Sequence, residues 1–248
     1  MFLADIGLLS LLEFVDSYNG EGIVLSRIYK PTNGPEDWKE FLAKPDLHWK
    51  TGKSARSMAY AWENNNGMPP RVGKILSDAF GASPEPLIVI PEYKVPLPGG
   101  RTESQNDAFV FARIGEQTAV IMVEGKVDEP FDRPLSKWFD EASPGKRIRL
   151  DYLCKVLGIE ANPPQDLMYQ LFHRTASAVI EAKRFKADIA IMLVHSFSQE
   201  HKWFDDYTAF AAHLGAQAEL AALVKCQTSA EVPLYLGWVT GDPKYLAL

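Results

Sequence analysis

Asp107, Glu124 and Lys126 are the residues whose types and spacing carry chemistry in this chain. They lie in "SQNDAFVFARIGEQTAVIMVEGKVDEPF", Ser104 to Phe131, where two apolar runs rich in strand-forming residues flank Ile114-Gly115-Glu116-Gln117. Gly115 is the residue there that readily takes positive φ, and a two-residue Gly-X turn suits a type II′ hairpin. Centring the hairpin between Gly115 and Glu116 sets Ile114 against Gln117, Phe109 against Met122 and Asp107 against Glu124. Lys126, two residues on, then shares the face of Glu124. Two carboxylates and one ammonium converge on one end of one face. Adjacent carboxylates repel unless a proton or a cation lies between them. A hard divalent ion such as Mg²⁺ or Mn²⁺ would take Asp107, Glu124 and the carbonyl of Gly125 or Lys126 as oxygen ligands. Lys126 would stabilise charge developing on a phosphate or orient a metal-bound water. Gly125 would let the backbone approach the ion or substrate closely.

The elements that must position these groups follow from periodicity. Roughly the first eighty residues read as mostly helical. An amphipathic helix over "MFLADIGLLSLLEFV" is followed by a short strand or arm at Glu21 to Pro31, a short helix in "GPEDWKEFLAKP", and a helix in "TGKSARSMAYAWENNNG" with Thr51 or Ser54 as N-cap. "PPRVGKILSDAFG" is a further helix, started by Pro70 and stopped by Gly81. The period then changes to two. "EPLIVIPEYKVPL", interrupted by Pro91, predicts an edge or strongly bent strand that completes a three-strand antiparallel meander with the hairpin. Helices follow in "DRPLSKWFDEASP", "GKRIRLDYLCKVLGI" and from Gln165 to Phe185. "ADIAIMLVHSF" reads as a strand buried on both faces. "FDDYTAFAAHLG" and "AELAALVKCQ" predict two more helices and "VPLYLGWVTG" a last strand. The expected fold is α/β, a mixed central sheet with helices on both faces. Residues 1–82 are expected to form a helical segment packed on an α/β core spanning 83–248.

Composition bounds the function classes. The chain has 248 residues, 46% hydrophobic and 23% charged, as in ordinary globular proteins. Its two cysteines, Cys154 and Cys226, both fall in segments read as helix, so a disulfide scaffold is excluded. Asp5 and Glu13 interrupt the first apolar run, which predicts neither a signal peptide nor a membrane span, and places the chain in the cytoplasm. A net charge of -6 argues against a protein that coats nucleic acid over a wide area, while leaving room for a local groove. Serine-hydrolase elbow, zincin helix, P-loop and zinc-type cysteine spacings do not occur.

The Asp at a strand start, the hairpin and Glu-x-Lys on its partner strand resemble the core of the PD-(D/E)xK phosphodiesterase superfamily, the restriction-endonuclease-like fold. The order of elements from Gly67 to Phe197 is similar to that core, and the chain also loosely resembles a group of uncharacterised bacterial proteins. The resemblance implies a metal-dependent nuclease whose metal-binding Asp is Asp107, whose second acid is Glu124 and whose lysine is Lys126. It implies DNA as partner, with RNA as an alternative. Asn106 stands where the superfamily often has Pro. Some members carry an upstream acid, for which Asp78 and Glu92 are both candidates. The competing reading is a non-catalytic binding or scaffold protein on the same fold, and a homodimer through either helical end stays open.

Further candidates are weaker. Gln170 and Arg174 lie four apart on one helix and could hold a phosphate, with His173 beside them. Lys53, Ser54 and Arg56 could grip a phosphate at a helix N-terminus. Lys146, Arg147 and Arg149 form a second basic cluster. His195 ends the buried strand, where α/β proteins often place functional groups. For each, a solvated polar face or a hydrogen-bonded core residue is the competing reading.

Overall fold

The computed structural model describes residues 32–139 and 143–248. The expected helix at the N-terminus and the strand or arm at Glu21 to Pro31 lie outside the described residues.

The short helix expected in this segment is a 3-10 helix, Pro35–Phe41, and a single turn, α1 (Pro45–His48), follows it. Two amphipathic helices come next, α2 (Ser54–Glu63) and α3 (Pro70–Phe80). Lys53 occupies the N-cap of α2 without a side-chain cap, and Ser54 is already helical, so neither Thr51 nor Ser54 caps it. The meander is β1 (Pro84–Val95), β2 (Ser104–Ile114) and β3 (Gln117–Lys126). Then come α4 (Leu135–Trp138), α5 (Pro144–Leu157), α6 (Tyr169–Phe185), β4 (Ile189–Ser196) and α7 (Phe204–His213). β5 (Ala222–Lys225) and β6 (Leu234–Thr240) close the sheet, and a 3-10 turn at Pro243–Leu246 follows.

The six strands lie in the order β1-β2-β3-β4-β6-β5. β1 to β3 pair antiparallel, β4 runs parallel to both β3 and β6, and β5 is an antiparallel edge. β5 corrects the reading of "AELAALVKCQ" as a helix: Ala222 to Lys225 pair with Trp238 to Tyr235, and Cys226 follows a strand. Pairing with a distant strand overrides the helix propensity of an Ala- and Leu-rich stretch. β1 is an edge strand, as its prolines require, with a register irregularity between Pro86 and Ile88.

Alternation of side chains divides the core in two. Phe109, Met122 and Met192 face α5, α6 and α7, while Val110, Ile121 and Leu193 face α2 and α3. The central strand β4 is buried along its whole length. This is a mixed sheet with helices on both faces. Parallel strands β3, β4 and β6 end at the same edge of the sheet as β1 ends and β2 begins.

A cleft at the end of the sheet

The β2–β3 register has Ile114 opposite Gln117, Phe109 opposite Met122 and Ala108 opposite Val123. Gly115 takes a φ of 60° and Glu116 keeps a negative one, which fits a II′ turn. Extending the ladder by one residue sets Asp107 opposite Glu124. On the other side, Pro91 pairs with Ala108 and Tyr93 with Asn106, which sets Glu92 opposite Asp107. Three carboxylates therefore stand in one row across β1, β2 and β3. Glu92 has a φ of 50°, a conformation uncommon for any residue but glycine. Glu92 also accepts a 2.5 Å hydrogen bond from Gln105 Nε2. Asp78 sits elsewhere, exposed on α3 and paired with Lys74 at 2.7 Å, so Glu92 is the acid that the fold brings to Asp107.

The row lines a cleft of about 370 Å³ between the N-terminal ends of α2 and α6. Leu42, Ala43 and His48 form one wall, and Glu129, Pro130 and Asp132 another. Gln170 and Arg174, one turn apart on α6, complete it.

Glu124, 3% exposed, is held by three donors. Lys126 Nζ and Gln170 Nε2 reach Oε1 at 2.7 and 2.8 Å, and Arg174 Nε reaches Oε2 at 2.5 Å. Burial opposes its ionisation, but Arg174 and Lys126 outweigh burial and hold the carboxyl below its ordinary range. Lys126 also donates to Gln170 Oε1 at 3.0 Å and lies over the ring of Phe131, 5.0 Å from its centroid. Asp107 behaves in the opposite way. Loss of solvent, then Glu124, then Glu92 push its carboxyl well above the ordinary range, against the pull of Arg174 and Lys126. Asp107 Oδ2 accepts the backbone N–H of Gly125 at 2.6 Å and so ends the β2–β3 ladder with a side chain.

Gly125 has a packing role that its place between Glu124 and Lys126 does not reveal. A Cβ there would stand 2.5 Å from Met58 Cγ and 3.1 Å from Asp107 Oδ2, so the missing side chain lets α2 close on β3.

Other candidates lie elsewhere or serve the frame. Lys53 and Arg56 do not line the cleft; Arg56 pairs with Glu36 at 3.0 Å. The N-terminus of α2 is taken by the chain's own acid, since Ser54 N and Oγ donate to Glu129 Oε1 at 3.3 and 3.1 Å. Arg149 turns inward to the carbonyls of Pro98 and Leu97, whereas Arg147 stays exposed and donates to Asn162 Oδ1. His195 is buried on the α2 face, where its Nδ1 accepts Trp62 Nε1 at 3.2 Å; burial brings its pKa down to about 3. His173 Nδ1 lies 2.8 Å from Ser104 Oγ, which also accepts Arg174 Nη1 at 3.3 Å.

Sequence reasoning missed Ser104, Gln105, His48 and Glu129. Ser104 and Gln105 had a legible signal, being polar residues at the open end of an apolar strand. Glu129 bonds Val127 N at 2.9 Å besides Ser54, and a contact spanning from residue 129 to residue 54 leaves no local mark.

Asp107 and Glu124 both line the cleft and are the ligand type a hard divalent ion takes; among the described residues Asp107 accepts a hydrogen bond at Oδ2 alone, while both oxygens of Glu124 already accept donors. Among the described residues no group of three or more His, Cys, Asp or Glu side chains is arranged to hold a metal ion. Two carboxylates nonetheless meet the demand of Mg²⁺, which keeps several waters and takes substrate phosphates as further ligands.

The fold and cleft define a mixed α/β protein with a charged network at the shared end of its parallel strands. The chain belongs to the family described as a domain of unknown function (DUF6946), whose model matches residues 31–243. No curated protein and no solved structure matches it. Among the described residues no helix is long and apolar enough to cross a membrane.

Proposed function

We propose that this protein is a Mg²⁺- or Mn²⁺-dependent phosphodiester hydrolase acting on DNA, built on a PD-(D/E)xK-like core. The observation that carries this reading is the row of Asp107 and Glu124 with Lys126 bonded to Glu124 at 2.7 Å inside one open cleft. A carboxyl raised first by burial and then by two neighbouring acids is costly to ionise without a cation, so the row suits a cation better than it suits an empty frame.

Asp107 and Glu124 would hold the ion, which when bound polarises the phosphate and makes its water more acidic. Glu124 is set for this by Arg174 and Gln170, which fix the direction of both of its oxygens. Lys126 Nζ has three protons and places two of them on Glu124 and Gln170. The third remains for a non-bridging phosphoryl oxygen, where it would stabilise the charge that builds as water attacks phosphorus and the P–O bond breaks.

Incubation of the purified protein with single-stranded, double-stranded and branched DNA in Mn²⁺, beside a Lys126→Gln variant of unchanged circular dichroism, tests the reading. Metal-dependent cleavage lost in the variant is the expected result. Cleavage that survives the substitution, or no cleavage of any DNA or RNA, overturns it.

One observation favours a second reading, a binding protein that uses the same fold without catalysis. Glu124 is already neutralised by Arg174 and Lys126, so its half of the row is satisfied without any ion. Absence of Mn²⁺ binding by calorimetry, together with retained affinity for a nucleic acid or protein, selects that reading.

A further inference from the structure

We infer that the cleft takes a single-stranded polynucleotide and excludes an intact duplex, an inference that rests on the hydrolase reading of the same site. Size is the first reason. About 370 Å³ is near the lower end of the roughly 300–1,000 Å³ that ligand pockets offer one drug-sized molecule, which is the scale of a single nucleotide unit.

Charge is the second reason. A protein that grips duplex DNA neutralises on the order of 6–10 phosphates with Lys and Arg. Among the described residues the two cations lining this cleft, Lys126 and Arg174, are both bonded to Glu124. Around it, Arg133 pairs with Asp132 at 3.2 Å, Lys202 with Asp128 at 2.6 Å and Arg56 with Glu36. Lys53 stands close enough to Asp128 to help hold that carboxyl low. The lining itself carries Glu92 and Glu129 beside the central pair, which repels a second phosphate backbone.

The walls supply what a single strand uses instead. Leu42, Ala43 and Pro130 offer apolar contact to a sugar or base, and exposed His48 offers a ring on which an unpaired base can stack. A base inside a duplex has both faces covered by its neighbours and cannot use that ring. The wall is also pinned. Trp38 Nε1 donates to Glu63 at 2.7 Å, while Trp49 Nε1 and the Tyr60 hydroxyl donate to Glu36 at 3.1 and 2.7 Å. Widening the cleft for a duplex would break these bonds.

The test compares cleavage in Mn²⁺ of a labelled linear single strand and of a covalently closed duplex circle of the same sequence, with anisotropy in Ca²⁺ as the binding readout. The single strand should be cut at least about tenfold faster. Ala43→Trp, a change at an exposed wall position, should slow that cleavage at least about tenfold while leaving the Mn²⁺-induced rise in melting temperature intact. Equal or faster cutting of the circle, or an unaffected Ala43→Trp, overturns the inference and leaves the hydrolase reading standing. If neither nucleic acid is cut or bound, both fall together.

Discussion

Arg174 on α6 places its Nε 2.5 Å from Glu124 Oε2 on β3, so the longest helix described is tied to the sheet by a buried ion pair beside the cleft. Removing Arg174 leaves Glu124 Oε2 without its donor while Lys126 and Gln170 still hold Oε1, a loss of about 1 to 3 kcal/mol. Arg174→Met should destabilise the protein by that order in urea unfolding. Replacing both partners, as in Glu124→Leu with Arg174→Met, should cost clearly less than the sum of the two single changes. A coupling below about 0.5 kcal/mol would mean that the two side chains act independently.

Metal binding should depend on Asp107. Mn²⁺ stabilises whatever state binds it, so it should raise the melting temperature of the wild type. Asp107→Asn keeps an oxygen for the N–H of Gly125 and removes a carboxyl that burial, Glu124 and Glu92 all disfavour in its charged form. Its metal-free melting temperature should equal or exceed that of the wild type, without the Mn²⁺-dependent rise. A melting series at constant ionic strength, with Ca²⁺ beside Mn²⁺, checks this. Identical small responses from the two proteins would remove Asp107 from the metal site.

Gly125 should prove sensitive for reasons of packing. Gly125→Ala places a methyl 2.5 Å from Met58 Cγ, and overpacking of this kind costs about 1 to 3 kcal/mol. Shortening the neighbour should relieve it, so Gly125→Ala with Met58→Ala should lose less than the two single losses together. Denaturant midpoints at unchanged slope measure both. Simple additivity would show that Met58 is not the obstacle.

His195 gives the fold a defined response to acid. Its pKa falls from an ordinary 6.5 to about 3 because it is buried, so between those values the unfolded chain binds a proton that the native state refuses. The native contribution is complete above pH 6.5 and drains as pH falls toward 3, at about 1.4 kcal/mol per pH unit. His195→Asn can keep an acceptor for Trp62 Nε1 and cannot titrate. Relative to that variant, the wild type should lose stability steadily from pH 6 to pH 4 in urea unfolding. Parallel curves would show that His195 protonates without penalty.

Much of the frame was legible from the order of residues. The hairpin register follows from the two-residue turn at Gly115 together with the alternation of side chains along any strand, and the burial of β4 follows from an unbroken apolar run. The same alternation places Asp107, Glu124 and Lys126 on one face, and the spacing of Gln170 and Arg174 places both on one side of α6. These are local periodicities, which steric rules of the backbone convert directly into geometry.

What joined those faces was decided by contacts between residues far apart in the chain. Nothing near Glu92 or Asp78 says which acid meets Asp107; the pairing of Pro91 with Ala108 decides it. The four residues of β5 favour a helix on their own and become a strand because β6 offers a hydrogen-bonding edge. Arg56, read as a phosphate grip, is claimed by Glu36, and the N-terminus of α2 by Glu129, seventy-five residues from Ser54. Gly125, read as room for a ligand, makes room for Met58. In each case the free energy of a polar or packed contact depends on which distant partner arrives, and a side chain's type and neighbours in sequence carry no record of that partner.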